Sequence, residues 1–355
     1  MKKHNFFAGP AILPEEVKIK TSESLIDFKN MGLSVMEISH RSDQWVECMN
    51  ESRKLCSQLL DIPDGHEILF LTGGASSQFY MSAQNLLGKN ETAGYIDTGT
   101  WSVKAIKEAK LFGEVKIVAS SKDRGYTYIP KNVIYGDEKY IHYTSNNTIY
   151  GTQYKSLPTS EGALVSDMSS DIFSQPVDIA RHDLIYCGAQ KNMGPAGVTL
   201  VIVKKEALGK VLRKIPSMLD YRNLISKESM FNTPPVLPIY ISMLTMQWVK
   251  KNGGVIEMKK RNEAKAKLLY DEIDKNSLFK GFVSKEDRSV MNACFGLNDS
   301  SLEDDFLKLT FEAGIVGIKG HRSVGGYRAS MYNAMHIDSV RVLVDVMKHF
   351  GEKYG

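Results

Sequence analysis

Tyr186-Cys187-Gly188-Ala189-Gln190-Lys191-Asn192-Met193-Gly194-Pro195-Ala196-Gly197 is a polar, glycine-bearing turn between two apolar runs, residues 184–187 and 198–203. The runs predict strands, and the Gly/Pro-containing turn between them is short enough to allow one antiparallel neighbour. Lys191 sits in that turn. A lysine beside buried strands is costly unless its amine has a task, because burial disfavours the ammonium form and lowers its pKa. That is also the condition under which an amine attacks a carbonyl.

β-like runs also occupy 68–72, 94–97, 115–119, 140–144 and 163–167, which makes seven before residue 205. Helix-like segments separate several of them, for example 101–112, ended by Gly113. Such alternation predicts an α/β protein with a mostly parallel seven-stranded sheet covered by helices. Residues 14–31 read as a helix with Glu15 and Glu16 in its first turn and Gly32 as its stop, and 239–251 as another, closed by Asn252-Gly253-Gly254. From about residue 260 the pattern changes to a charged helix at 261–274, a strand at 289–297 and a helix near 302–313. Val340, Leu343, Val344, Met347 and Phe350 then recur at helical spacing. The expected division is a large domain, 16–259, and a smaller α+β domain formed by 1–15 and 260–355.

The 355 residues, 43% hydrophobic and 24% charged, suit a globular chain with a sizeable core. The net charge of +4 is spread rather than clustered, which argues against nucleic acid and leaves small anionic substrates open. Cys48, Cys56, Cys187 and Cys294 form no CxxC pair and no metal-ligand spacing with the histidines. Free thiols in a reducing cytoplasm are therefore expected, with no metal. Residues 229–249 carry no charge, but Pro234, Pro235 and Pro238 predict a loop and a buried helix rather than a membrane span.

The run 163–166 leads into Asp167, so an aspartate and a lysine stand at the ends of strands that should share one sheet. The pair suits pyridoxal phosphate. A carboxylate would keep the pyridine nitrogen protonated, so that the ring drains charge from the substrate's α-carbon, while Lys191 would form the aldimine. Gly73-Gly74-Ala75-Ser76-Ser77-Gln78 follows a strand and opens a helix, which reads either as a phosphate cup or as an ordinary turn. Trp101, at the start of the next helix, offers a flat face to a heteroaromatic ring. Cations gather at His40-Arg41 and in the glycine-rich stretch containing His321, Arg322 and Arg328, where guanidinium groups suit carboxylate or phosphate.

Six segments, FFAGPAILP (6–14), SVMEISHR (34–41), GGASSQF (73–79), GAQKNMGPAG (188–197), SMFNTPP (229–235) and GIKGHRSVGGYRASMYN (317–333), together resemble the phosphoserine aminotransferase family. That family lies in class V of the pyridoxal-phosphate enzymes, and the resemblance runs nearly end to end. It implies the aspartate aminotransferase-like type I fold and one pyridoxal 5′-phosphate per subunit, held covalently on Lys191. Gln190, Asp167, Trp101 and Thr148 would contact the cofactor, and Ala75 and Ser76 would hold its phosphate. Asn232 and Thr233 would reach that phosphate from the other subunit of a homodimer. Arg328 would take the substrate α-carboxylate, with His40, Arg41, His321 and Arg322 around the substrate's phosphate or distal carboxylate. Ala8 replaces a serine of certain relatives, and Ser76 stands where some carry arginine.

The implied reaction interconverts O-phospho-L-serine and 2-oxoglutarate with 3-phosphohydroxypyruvate and L-glutamate in serine biosynthesis. The resemblance extends to 4-phosphohydroxy-L-threonine formation in pyridoxine biosynthesis. Competing readings are an alanine-glyoxylate-type aminotransferase, a cysteine desulfurase and a non-catalytic dimer of the same fold. The desulfurase needs a reactive cysteine on a loop, whereas Cys294 lies in a run that reads as a buried strand.

Overall fold

A computed structural model describes residues 3–131, 133, 135–160 and 162–355. Its centre is a seven-stranded sheet in the order His66–Leu71, Thr199–Lys204, His182–Gly188, Leu164–Asp167, Ile141–Thr144, Thr92–Asp97, Glu114–Ser120. Every neighbouring pair is parallel except at Thr199–Lys204, which runs antiparallel to both of its neighbours. The turn around Lys191 is the reason, since residues 189–198 close a hairpin and leave no length for a crossover helix.

Period-two alternation builds two layers of core on the sheet. Ile68, Phe70, Leu200 and Ile202 face one layer, with Trp45 and Met49 of the helix Asp43–Leu60 and Met243 and Leu244 of Val236–Lys251. Leu69, Leu71, Val201 and Val203 face the other, against Phe79 of Gly74–Leu86 and Ala105 and Ile106 of Thr100–Ala109. A strand buried on both faces shows a continuous apolar run, as seen at 198–203.

The C-terminal part holds a three-stranded antiparallel sheet, Phe279–Gly281, Asn292–Leu297 and Tyr327–Ser330. The helices Gly254–Lys275 and Ile337–Tyr354 pack on it, the latter through Val340, Leu343, Val344, Met347 and Phe350. The N-terminus joins this region: His4–Asn5 pairs with Ile315–Val316, and Phe6 is buried in the same cluster. Gly254–Lys275 serves two cores, with Val255 and Met258 in the first and Ala266, Leu269 and Ile273 in the last.

Several helix limits differ from expectation. The helix expected over 14–31 stops at Ile26, because Phe28 turns into the core and Lys29 and Asn30 take φ of 53° and 58°. The helix expected from 239 begins at Val236, since a proline in the first turn removes no intrahelical hydrogen bond. The charged helix expected from 261 begins at Gly254, directly after Gly253. The strand expected from 289 begins at Asn292, because the Ser289 hydroxyl accepts from the backbone N–H groups of Met291 and Asn292. All four cysteines are unpaired and buried, Cys294 in a strand as expected. Among the described residues no helix is long and apolar enough to cross a membrane.

Candidate active site

Strands that run parallel end together, so their carboxyl ends bring Thr144, Asp167 and the turn after Gly188 to one edge. There a cavity of about 370 Å³ is lined by Lys191, Asp167, Gln190, Trp101, Thr148 and Arg328, with Ala75, Ser76 and His321 also on its wall. The volume lies within the range of small-molecule sites.

Lys191 is held by a tight turn in which its own N–H donates to Ala189 O at 2.7 Å and that of Gly194 to the same oxygen at 2.8 Å. The N-terminal segment passes over it. Ala11 N–H donates to Gln190 O at 2.9 Å, and a Cβ on Gly9 would stand 3.5 Å from Lys191 Cγ. Burial lowers the Lys191 pKa, while Asp167 and then Asp171 oppose the fall. Asp167 is 5% exposed and accepts from Ser169 N–H at 2.9 Å and Ser169 Oγ at 2.6 Å. Burial raises its pKa, and the Ser169 bonds and Lys191 counter the rise.

The helix Gly74–Leu86 points its N-terminus into the cavity. Gly73 and Gly74 take φ of 96° and 67°, and no side chain caps this end. The first N–H groups therefore keep their donors free for an anion at the positive end of the helix dipole. Trp101 opens the helix Thr100–Ala109, and its Nε1 donates to Thr148 Oγ1 at 3.2 Å. Lys191 Nζ lies 6.0 Å from the indole centroid. From the opposite side, Arg328 donates through Nη1 to Thr148 O at 2.9 Å, and its Nε is buried without a partner. His321 Nδ1 pairs with Ser323 Oγ at 2.7 Å. Burial lowers the His321 pKa, and Arg328, Arg322 and Lys104 lower it further.

The structure thus brings together Lys191, Asp167, Gln190, Trp101, Thr148, Ala75, Ser76, His321 and Arg328. It does not place His40, Arg41, Arg322, Asn232 or Thr233 on that wall. Arg322 is exposed next to His321, and Asn232 and Thr233 are exposed ahead of the helix Val236–Lys251. His40 and Arg41 precede Ser42, whose hydroxyl caps Asp43–Leu60. The wall also includes Gly9, Thr144, Asn146, Ser169 and Ser170, which sequence reasoning missed. Thr144 had a usable signal, since it ends a recognised strand as Asp167 does. Asn146 did not, because a polar residue after a strand is ordinary turn chemistry.

The class-V aminotransferase family model matches residues 4–343. The chain is 57% identical, over 357 aligned residues covering 100% of both proteins, to the phosphoserine aminotransferase of Parabacteroides distasonis. Phosphoserine aminotransferase from Bacillus circulans subsp. alkalophilus superposes with a TM-score of 0.96 at 42% identity, covering 100% of this chain and 99% of that one. PLP-bound phosphoserine aminotransferase from Trichomonas vaginalis matches at a TM-score of 0.92 and 34% identity, over 98% of this chain and 100% of that one. The architecture is the type I fold of pyridoxal-phosphate transferases, with its mostly parallel seven-stranded sheet and smaller C-terminal sheet. The chain belongs to the phosphoserine aminotransferase family of the class-V aminotransferases.

Proposed function

We propose that this chain uses pyridoxal 5′-phosphate to interconvert O-phospho-L-serine and 2-oxoglutarate with 3-phosphohydroxypyruvate and L-glutamate, in serine biosynthesis. One observation carries the reading: a single cavity holds an uncapped helix N-terminus, a buried carboxylate and a desolvated lysine. These donors and acceptors fit the proposed cofactor. The free N–H groups at Ala75 and Ser76 suit its phosphate, Asp167 suits a protonated ring nitrogen, and the Trp101 face suits the ring. Gln190 and Thr148 complete its setting, and Lys191 is the residue to which it is attached, one cofactor per subunit.

When bound, the cofactor supplies an electron-withdrawing ring that stabilises negative charge at the substrate α-carbon. Lys191, whose burial favours the neutral amine, takes the proton from that carbon and returns it on the other side of the reaction. Asp167 keeps its carboxylate toward the ring nitrogen and, as a negative charge, restrains the fall in the Lys191 pKa. Arg328, on the cavity wall with Nη1 engaged by Thr148 O, holds the α-carboxylate through the rest of its guanidinium. His321 and Arg322, with His40 and Arg41, meet the substrate's phosphate or distal carboxylate. Asn232 and Thr233, exposed in one chain, reach the cofactor phosphate of the second subunit in a homodimer.

The domain division at 16–259 belongs to the same proposal. Pairing of His4–Asn5 with Ile315–Val316 supports its N-terminal part, while Gly254–Lys275 runs through its other boundary. Activity in pyridoxine biosynthesis and a cytoplasmic setting are further parts of it, the latter supported by unpaired, buried cysteines. The test is a coupled assay with phosphoserine, serine and alanine as amino donors. Phosphoserine should be strongly preferred, and equal rates with serine would overturn the phosphate-pocket assignment.

A further inference from the structure

Two buried amides join the large sheet's loops to the C-terminal sheet directly behind Arg328. Asn146 Nδ2 donates to Asn292 Oδ1 and to Ser170 Oγ, both at 2.8 Å, and its Oδ1 accepts from the Ser289 hydroxyl. Asn292 Nδ2 donates to Ser330 Oγ at 3.0 Å and to the Tyr332 hydroxyl at 3.1 Å. Asn146 and Asn292 are 2% and 0% exposed, and every polar hydrogen of each amide is used. Fully satisfied buried amides hold a single orientation, because any rotation strands a donor.

The register gives this pair its direction. In the antiparallel pairing Asn292 faces Ser330 and Cys294 faces Arg328. All four side chains therefore leave the same face of the sheet. The segment 146–148 meets that face twice, through Asn146 on Asn292 and through Thr148 O on Arg328. Gly151 fits the same seam, where a Cβ would come within 3.0 Å of Asn292 O. From the other end, the Tyr332 hydroxyl donates to Ala8 O at 2.7 Å, one residue before Gly9 packs on Lys191.

We propose that Asn292, which does not line the cavity, is a positioning residue. Through Asn146 and Ser330 it holds the Arg328 guanidinium at the distance from Lys191 that an amino acid's α-carboxylate requires. The inference rests on the reading of Arg328 as the α-carboxylate ligand.

Steady-state kinetics of the cofactor-loaded enzyme test it. Asn292→Ala should raise KM for both glutamate and phosphoserine by about tenfold, on the scale of a lost buried hydrogen-bond set. Turnover, the cofactor's visible absorption and inhibition by inorganic phosphate, which needs no α-carboxylate, should stay at wild-type values. An unchanged KM overturns the proposal, and so does an equal loss of phosphate inhibition, which would mark general loosening. If Asn292→Ala does not fold, Ser330→Ala removes one acceptor from the same network and should raise KM in the same direction by a smaller factor. No rise in that variant also overturns the proposal. Arg328→Ala separates the two readings. If it leaves KM unchanged, the ligand assignment fails. If it raises KM while Asn292→Ala does not, the positioning role alone fails.

Discussion

Arg328 donates through Nη1 to the backbone carbonyl of Thr148 at 2.9 Å, so the strand that carries the cation is tied to the loop that carries the Trp101 partner. One guanidinium nitrogen is thereby occupied by protein, and the rest of the group stands on the cavity wall. Lysine at this position keeps the charge but cannot span both acceptors. Arg328→Lys should raise KM for glutamate by about 10- to 100-fold, the range expected for a lost charge-assisted hydrogen bond. Initial-rate measurements over glutamate concentration check this, and a KM within twofold of wild type, roughly the scatter of such comparisons, would remove Arg328 from the substrate site.

Asp167 is the main charge opposing the burial-driven fall in the Lys191 pKa. Asp167→Asn should therefore lower that pKa further. In cofactor-free protein, the pH dependence of Lys191 acetylation should shift to lower pH, because the neutral amine is the reactive form. Transamination should fall by at least about 100-fold, a typical value for loss of a positioned acid–base group. A labelling curve that stays in place would mean that Asp167 does not act on the amine. In the cofactor-loaded wild type, borohydride should fix the cofactor on the peptide containing Lys191, and its appearance on any other lysine would displace Lys191 from its role.

What could be read from the chain follows from how local each signal is. The sheet was legible because Ile68 and Phe70 face one core while Leu69 and Leu71 face the other, which leaves an unbroken apolar run. Lys191 and Asp167 were legible because charge at the end of such a run is costly. The assignments of Thr148 and Arg328 came from resemblance, and their mutual contact joins residues 180 positions apart. No periodicity encodes that. The pairing of Asn146 with Asn292 has the same character, since an asparagine at a strand end is common and only the folded register makes these two neighbours. Helix limits were misread where tertiary packing prevailed, as at Phe28, whose burial ends a helix that propensity alone would continue.

Gly73 and Gly74 separate backbone strain from steric fit at the uncapped N-terminus of the helix Gly74–Leu86. Both have left-handed φ, 96° and 67°. A Cβ at Gly73 would lie 2.6 Å from Ser77 Oγ, whereas one at Gly74 meets nothing within 4 Å. Gly74→Ala should therefore cost about 1–2 kcal/mol of stability, the left-handed penalty alone. Gly73→Ala adds a displacement of the first helical turn, so it should also weaken pyridoxal phosphate binding by about tenfold or more, as expected when donors move off an anion. Denaturant melts and absorbance titrations with the cofactor measure the two effects. Equal cofactor affinity in both variants would mean that the clash does not move this turn.

Lys265 should give the fold a pH dependence of its own. It is 1% exposed in the helix Gly254–Lys275, and its Nζ donates to Met331 O at 2.9 Å and Tyr332 O at 2.7 Å. Burial lowers its pKa to about 7, with Arg261 adding to the fall. The neutral amine has two N–H donors, which matches the two carbonyls. Above about pH 7 the folded protein holds this amine neutral, while the unfolded chain keeps it protonated up to its ordinary value of 10.5. The unfolded state then binds more protons, so this group makes stability rise with pH across that window, by up to about 1.4 kcal/mol per unit. Asp171, raised to about 6 by burial, slopes the other way between its ordinary value of 3.8 and that point, so the two contributions occupy separate ranges. Lys265→Met should reduce the rise above pH 7, leaving the part that the buried Lys191 contributes, and lower stability overall by a few kcal/mol, because it strands two buried carbonyls. Guanidinium melts at pH 7 and pH 9 decide the matter, since a variant that keeps the wild-type slope would assign it to another group.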